Sequence, residues 1–303
     1  MKTLLILSFL FTHNAIFAQD SLYKQQEIIY GRKDGMALTL VHMQPNGKSN
    51  KKAIIKLVSG NWLSGTNRLP FFIESAYPLL KRGYTVFMVM HGSQPRYTIP
   101  DMVEDVQRAT RFIRFNSKKF AIDPDHIGIT GSSSGGNLSL LVATADEKKD
   151  TISRDPINRV SARVQAVAVF YPPTDFLNWG EAGRGISSNP GMLKLARVSG
   201  AFDFTTYNDR LTLYEAVSDT MKKLNKFREV SPISSVSSDD PPVFIVHGDN
   251  DRVVPLQQSQ SIIARFNEMK VPNQFIIKKG EGHGWKNQDV ETELFANWFD
   301  KHL

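Results

Sequence analysis

The sequence has no cysteine and no long apolar run after its first residues. Its 303 residues include 0 Cys, so the fold uses neither disulfides nor thiol chemistry. A chain of this length buries a core large enough to be stable without such cross-links. Beyond the amino terminus, no stretch has the length and apolarity of a membrane-spanning helix. We therefore expect no membrane partner.

Dense basic clusters and metal-binding patterns are also missing. The 37 Lys and Arg exceed the 30 Asp and Glu, but Lys222, Lys223 and Lys226 have the spacing of a solvated helix face. A calcium loop at Asp249 to Asp251 fails because Val253 stands at the third ligand position. The sequence predicts no nucleic-acid partner, no metal and no cofactor, and it leaves the oligomeric state open.

The first 18 residues have the form of a secretory signal peptide. Lys2 precedes an apolar run from Leu4 to Phe11, and small Ala18 precedes a polar pair. The run is too short to span a bilayer. We expect cleavage after Ala18, a secreted or periplasmic protein, and one mature domain over residues 19–303.

The remaining pattern alternates strands with helices, which is typical of an α/β fold with a mostly parallel central sheet and helices on both faces. Asp34-Gly35 between two apolar runs predicts an antiparallel hairpin at the start. The predicted strands are Glu27 to Tyr30, Met36 to Met43, Lys52 to Val58, Tyr84 to Met90, His126 to Thr130, Val164 to Tyr171, Pro242 to Val246 and Phe275 to Lys278. Helices are expected over Pro70 to Arg82, from Pro100, from Asn137, over Leu256 to Met269 and over Val290 to His302.

Between residues 172 and 232 this regular pattern loosens. The segment contains Asn189-Pro190-Gly191 and other helix breakers, followed by a helical pattern from Asp209 to Phe227. A long insertion at a catalytic edge predicts a lid or a substrate wall. A surface excursion without a role in function is the alternative.

The stretch Gly131-Ser132-Ser133-Ser134-Gly135-Gly136 follows an apolar strand and precedes a helix. This context indicates a nucleophile elbow, in which the residues two before and two after the serine lack side chains. Only Ser133 has glycine at both positions. A phosphate-binding loop is disfavoured because Asn137 stands where a lysine is needed.

A serine nucleophile requires a histidine base and a carboxylate that orients the histidine, here in the order Ser, acid, His. Asp251 follows a predicted strand and is the better acid candidate, while Asp249 fits a turn residue. His283 lies in a glycine-rich loop between the last strand and the last helix. His91 and His247 end strands and are expected to shape the pocket.

The reaction also requires backbone N–H groups that stabilise the oxyanion. One comes from the residue after the nucleophile, Ser134. The other is expected from Gly60 or Asn61, in the loop after an early strand.

These ordered motifs resemble the α/β-hydrolase family, and within it secreted acetyl esterases and bifunctional feruloyl and acetylxylan esterases. The resemblance runs from about Ala53 to the carboxyl terminus. It implies a serine esterase that removes a small acyl group, foremost acetyl, from a carbohydrate or small alcohol. The His-Gly-Gly-Gly-Trp loop of the family aligns with Val58 to Trp62. Residues expected around the substrate are Trp62, His91 and Trp285.

Two alternatives remain open. One is a serine peptidase resembling prolyl oligopeptidase, although such enzymes usually carry an additional propeller domain. The other is a binding protein with a hydrolase fold and no catalysis. Such proteins generally lose a triad residue, and Ser133, Asp251 and His283 are all present.

Overall fold

The structure is a computed structural model that describes residues 22–146, 150–186 and 190–303. The predicted signal peptide lies outside the described residues. None of the helices in the described ranges is both long and apolar enough to cross a bilayer.

An eight-stranded sheet with the order β1-β2-β4-β3-β5-β6-β9-β10 organises the described residues. β1 and β2 are antiparallel, as are β2 and β4, and the other neighbours are parallel. The predicted fold class is confirmed. The strands are β1 (Tyr23–Lys33), β2 (Met36–Pro45), β3 (Ala53–Leu57), β4 (Thr85–Val89), β5 (Ile127–Ser132), β6 (Ala166–Phe170), β7 (Thr205–Asn208), β8 (Leu213–Ala216), β9 (Val243–Gly248) and β10 (Asn273–Lys278).

The central strands are mainly apolar on both sides, and helices on both faces of the sheet bury them. On one face α3, α5 and α8 contribute to the larger apolar core, and on the other α2 and α9 contribute to the second. The helices are α1 (Pro70–Ile73), α2 (Tyr77–Lys81), α3 (Ile99–Phe115), α4 (Ser117–Phe120), α5 (Ser134–Thr144), α6 (Pro190–Leu195), α7 (Thr220–Glu229), α8 (Gln257–Glu268) and α9 (Asp289–His302).

The opening hairpin turns at Asp34 and Gly35, both with positive φ (47° and 79°). Such a turn matches the twist of the paired strands, which is why Asp-Gly favours it. Lys33 pairs with Met36 directly across the turn. The predicted hairpin is therefore present.

Two helix predictions differ from the structure. The helix expected over Pro70 to Arg82 is broken into α1, a 3₁₀ turn and α2, where Pro78 lacks the N–H that a continuous helix would use. The helix expected over Asp209 to Phe227 is wrong in its first half. There the chain forms the β7–β8 hairpin, because Asn208 Oδ1 accepts the N–H groups of Arg210 and Leu211 and so closes a turn.

Candidate active site

Ser133 lies on the turn between β5 and α5 with φ 53° and ψ −121°. Positive φ is uncommon for a residue with a side chain and indicates strain that the surroundings must support. Two bonds do so here: the Ser133 N–H donates to the Phe170 carbonyl (3.0 Å), and the Asn137 N–H donates to the Ser133 carbonyl (2.9 Å). The turn has the geometry of a nucleophile elbow.

The glycines around Ser133 differ in how much space they need. A Cβ at Gly131 would lie 2.5 Å from the carbonyl carbon and oxygen of Gly135, so this position excludes any side chain. A Cβ at Gly135 would meet nothing closer than 3.5 Å, an ordinary contact. Steric crowding therefore requires glycine at position 131, as predicted, but does not require it at position 135, where the prediction is wrong. Gly136 is the tighter position, with Pro172 Cβ at 3.0 Å.

The structure brings Ser133, His283 and Asp251 together in the predicted order. Ser133 Oγ lies 2.8 Å from His283 Nε2, and His283 Nδ1 lies 2.7 Å from Asp251 Oδ2. With the hydrogen on Nδ1, His283 donates to the carboxylate and accepts from the serine hydroxyl. Asp251 follows β9 and His283 lies between β10 and α9, so both loops leave the carboxyl edge of the sheet where Ser133 sits.

The two candidate aspartates have different surroundings. The Asp251 side chain is 0% exposed, and its Oδ1 accepts the N–H groups of Val253 (2.8 Å) and Val254 (2.9 Å). Burial alone would raise the pKa of Asp251, but hydrogen bonds from His247 and His283 outweigh it and hold that pKa well below its usual range. Asp249 instead accepts the N–H of Gly280 at 2.6 Å, as a turn residue would.

The geometry separates the two candidates for the second oxyanion donor. The Gly60 N–H already donates to the Leu63 carbonyl at 3.1 Å. Within the described residues, the N–H groups of Asn61 and Ser134 donate to no protein acceptor. Asn61 also lines the same cavity as Ser133. Asn61 and Ser134, rather than Gly60, thus have N–H groups free to bind an oxyanion.

The loop that carries Asn61 is held in an unusual conformation. Asn61 and Trp62 both adopt positive φ (55° and 54°), which asparagine tolerates well and tryptophan does not. Gln94 secures both: its backbone N–H donates to the Trp62 carbonyl (3.2 Å) and its Nε2 to the Asn61 carbonyl (2.8 Å). Asn137 accepts from the Trp62 indole at 3.3 Å.

Gln94 and Asn137 were not among the predicted site residues. Asn137 was visible in the sequence as the polar residue in the first turn of the helix after Ser133. Gln94 had no comparable signal, since its partners come from a loop some 30 residues earlier.

Ser133 opens onto a cavity of about 250 Å³. Segment 172–232 supplies most of its apolar wall, and Trp62 and the loop after Asp251 supply the rest. Apart from Asn61 and Trp62, the residues of this wall have no signal in the sequence, because scattered apolar residues in an irregular segment show no periodicity. The lining residues are Asn61, Trp62, Ser133, Pro173, Trp179, Ile186, Met192, Leu193, Ala196, Val198, Arg252, Val253 and Val254.

Three other predicted pocket residues lie away from this cavity. His91 lines a separate cavity of about 360 Å³ together with Ser64 and Tyr97, and burial lowers the pKa of His91 to about 4, so its ring is neutral. Trp285 packs edge-on against Phe170 and donates to Glu291 at 3.1 Å. His247 is fully buried beside Asp251.

No group of three or more His, Cys, Asp or Glu in residues 22–146, 150–186 and 190–303 is arranged to hold a metal ion.

Several solved structures have the same fold. A truncated carbohydrate esterase from gut microbiota superposes with a TM-score of 0.72 at 24% identity, covering 93% of this chain and 98% of the other. An acetyl ester-xyloside bifunctional hydrolase from Caldicellulosiruptor lactoaceticus gives 0.69 at 23% identity, covering 91% and 96%. At these identities the likeness extends to the fold.

Curated relatives carry esterase names. The probable carboxylic ester hydrolase LipM of Mycobacterium tuberculosis is 28% identical over 71% of this chain and 45% of its own length. Esterase LipQ of the same organism is 27% identical over 80% of this chain and 52% of its own. The chain thus spans about half the length of these relatives.

The family model BD-FAE matches residues 40–266, which is well over half of the chain and includes the elbow and Asp251. Together with the α/β-hydrolase architecture of the sheet, this match identifies the chain as a member of the BD-FAE family.

Proposed function

We propose that the protein is a serine carboxylic ester hydrolase with Ser133 as nucleophile, His283 as general base and acid, and Asp251 as the orienting carboxylate. The observation that carries the proposal is the continuous pair of hydrogen bonds from Ser133 through His283 to Asp251, at 2.8 and 2.7 Å. The esterase names of the relatives support the same activity.

The proposed reaction has two stages, formation and hydrolysis of an acyl-serine. Ser133 Oγ attacks the ester carbonyl carbon while its proton moves to His283 Nε2, and the carbonyl oxygen becomes an oxyanion bound by the N–H groups of Asn61 and Ser134. When the intermediate collapses, the C–O bond to the alcohol breaks and His283 returns the proton to the leaving oxygen. Water, deprotonated by His283, then hydrolyses the acyl-serine and restores Ser133.

The alcohol and the acyl group form the finer part of the proposal. A carbohydrate alcohol is supported by the neighbours described as a carbohydrate esterase and an acetyl ester-xyloside hydrolase. Acetyl is the acyl group that the sequence resemblance implies. The cavity at Ser133 is larger and more apolar than an acetyl group requires, with Trp62 and Trp179 in its wall. Rates of hydrolysis for esters of different acyl length will therefore show which acyl group the cavity prefers.

The first prediction concerns the activity itself. Purified protein should hydrolyse chromogenic acetyl, butyryl and longer-chain esters of one phenol, and Ser133→Ala should lower turnover by about 10⁶-fold because the triad acts as a unit. Acetylated xylo-oligosaccharides, with released acetate as readout, test the carbohydrate alcohol. Ser132→Ala is the matched control and should retain activity.

The competing functions predict other outcomes of the same assays. A peptidase related to prolyl oligopeptidase would cleave aminoacyl-proline amides faster than esters. A binding protein without catalysis would give equal background rates for the wild type and Ser133→Ala. Either result would refute the proposed esterase activity.

Localisation and domain organisation belong to the same proposal. Export through a signal peptide of residues 1–18 requires a mature chain that begins at Gln19, and the intact mass of the protein from culture medium or periplasm measures this. Residues 19–303 then form one hydrolase domain in which segment 172–232 acts as a lid-like wall of the acyl cavity. Its contribution of Trp179, Ile186 and Met192 to the lining supports that role.

A further inference from the structure

A second histidine, His247, lies behind the carboxylate of Asp251. Its side chain is 0% exposed. Its Nε2 is 3.2 Å from Asp251 Oδ2 and 2.9 Å from the Val254 carbonyl oxygen. The same Oδ2 accepts the hydrogen bond from His283. One carboxylate oxygen therefore contacts two imidazole rings.

The neighbours of His247 determine which ring nitrogen carries a hydrogen. Both groups at Nε2 are acceptors, so Nε2 must carry a hydrogen. At Nδ1 the partner is the hydroxyl of Ser259 on α8, at 2.7 Å and also fully buried. In the neutral ring, Nδ1 accepts from Ser259 and every polar atom of the buried side chain is satisfied.

We propose that His247 is a positioning residue for the reaction of Ser133. Its neutral ring, oriented by Ser259, donates to Asp251 and thereby limits how strongly that carboxylate stabilises a positive charge on His283. This inference rests on the proposed esterase function. It extends the hydrogen-bonded series Ser133, His283, Asp251 by two further groups, from the catalytic edge into α8.

Removal of the His247 donor should make protonation of His283 more favourable. Each donor to a carboxylate spreads its negative charge, and two donors from Val253 and Val254 already engage Oδ1. Without His247, more of the charge on Oδ2 would face His283 and favour its imidazolium form. Among the other titratable groups, Tyr171 contacts both rings, with centroid distances of 4.6 Å to His283 and 6.3 Å to His247. Arg252 follows Asp251 in the sequence, and Glu281 precedes His283 by two residues. The hydrogen-bond partner of His247 on α8 is Ser259, which does not titrate.

Two variants at position 247 separate donation from packing. His247→Met fills similar space without an N–H donor, and His247→Gln retains an N–H that can reach Asp251. The readout is the midpoint of the acid limb in kcat/KM for one small ester. An adjacent charge shifts a histidine pKa by about 1–3 units. One hydrogen-bond donor to Asp251 offsets only a fraction of the effect of its charge, so His247→Met should raise the midpoint by about 0.5 pH unit. His247→Gln should return most of the way to the wild type.

The matched control is His42→Met. His42 is a partly buried histidine that stacks on Phe87 in the other half of the sheet, remote from Asp251 in the order of strands. The control should leave the midpoint unchanged even if it alters stability. If His247→Met folds and its midpoint equals that of the wild type, or falls, His247 has only a structural role and the proposal is wrong.

Imidazole nitrogen NMR tests the same idea without relying on catalysis or on a variant that folds. We expect the wild-type His247 ring to be neutral, with its hydrogen on Nε2. A hydrogen on Nδ1, or a doubly protonated ring at neutral pH, would overturn the proposal. Absence of ester hydrolysis by the wild type would instead refute the proposed function, so the two failures are distinguishable.

Discussion

At the scale of single residues, two glycines beside Ser133 should respond in opposite ways to the same substitution. Gly131→Ala places a Cβ 2.5 Å from the backbone of Gly135 and must displace the elbow. A displacement of about 1 Å costs on the order of 10² in rate, so kcat/KM should fall at least that far. Gly135→Ala, with 3.5 Å of space in a helix, should keep its activity and gain up to about 1 kcal/mol of stability.

Ester hydrolysis and urea unfolding of the two variants measure both effects. Comparable losses of activity in both variants would show that the space at position 135, rather than at 131 alone, is required.

Asp251 and Asp249 should also respond differently to the same substitution, because their side chains have different hydrogen-bond partners. Asp251→Asn keeps the shape of the side chain but favours the wrong tautomer of His283, a loss of about 10⁴ in kcat for the triad. In the described residues, the Asp249 side chain accepts a hydrogen bond from the Gly280 N–H and from no other group. Asp249→Asn should therefore loosen this loop slightly and change kcat by less than about 10-fold. Steady-state kinetics on one ester measures both, and a reversed ranking would mean that Asp249 is the functional acid.

At the scale of elements, the loop from Val58 to Gly65 depends on neighbours more than on its own sequence. Ser64 Oγ donates to the Val58 carbonyl at 2.5 Å, and Ser59 and Ser134 share a 3.0 Å hydrogen bond between their hydroxyls. Gln94 Nε2 joins the Asn61 carbonyl to that of Arg197 (2.8 and 2.7 Å) and so links the loop to segment 172–232. The positive φ of Asn61 and Trp62 is maintained by these contacts.

Gln94→Met tests this dependence. It preserves the volume but removes both side-chain donations, which leaves the Asn61 N–H less well oriented toward the oxyanion. Loss of a whole oxyanion donor costs about 10²–10³ in kcat, so we expect a fall of about 10-fold in kcat with little change in KM. The exposed Gln26→Met on β1 is the control. A raised KM with unchanged kcat would assign Gln94 to substrate binding instead.

At the scale of the whole molecule, one charged residue lies inside the second apolar core. Lys56 is in β3, 8% exposed, on the face that also carries Ile54 and Val58. Burial lowers the pKa of Lys56 to about 8 from 10.5. One pKa unit corresponds to about 1.4 kcal/mol. Burial of the charged Lys56 side chain therefore lowers the free energy of unfolding at neutral pH by roughly 3 kcal/mol.

Lys56→Met should therefore raise the free energy of unfolding at pH 7 by up to about 3 kcal/mol. Between pH 8 and 10.5 the unfolded wild type holds a proton that the folded state has released, so wild-type stability rises with pH over this window and the gain shrinks. Urea unfolding at pH 7 and pH 10 measures the difference. Lys118→Met, at an exposed position of α4, is the control. An equal gain at both pH values would contradict the assignment to charge burial.

What the sequence by itself determined was the order of elements and the identity of the residues expected to react. Apolar runs, glycine stops and the Asp-Gly turn are local signals, so the strands and most helices could be read directly. Ser133 was separated from its neighbours by its flanking glycines, although the reason holds at Gly131 only. Chain order then pointed to Asp251 and His283.

Only the tertiary structure decided which groups meet. The N–H of Gly60 is engaged by the Leu63 carbonyl, whereas that of Asn61 is not, and the wall of the cavity at Ser133 combines residues from segment 172–232 with the loop after Asp251. His91 and Trp285 lie outside that cavity, and His247 lies behind Asp251. The β7–β8 hairpin arose where a helix was predicted because side-chain hydrogen bonds of Asn208 closed a turn. The cavity wall and the contacts of His247 join residues far apart in the chain, so no pattern along the sequence contains them. The Gly60–Leu63 bond and the Asn208 turn are local, but they do not appear in the hydrophobic periodicity from which the elements were predicted.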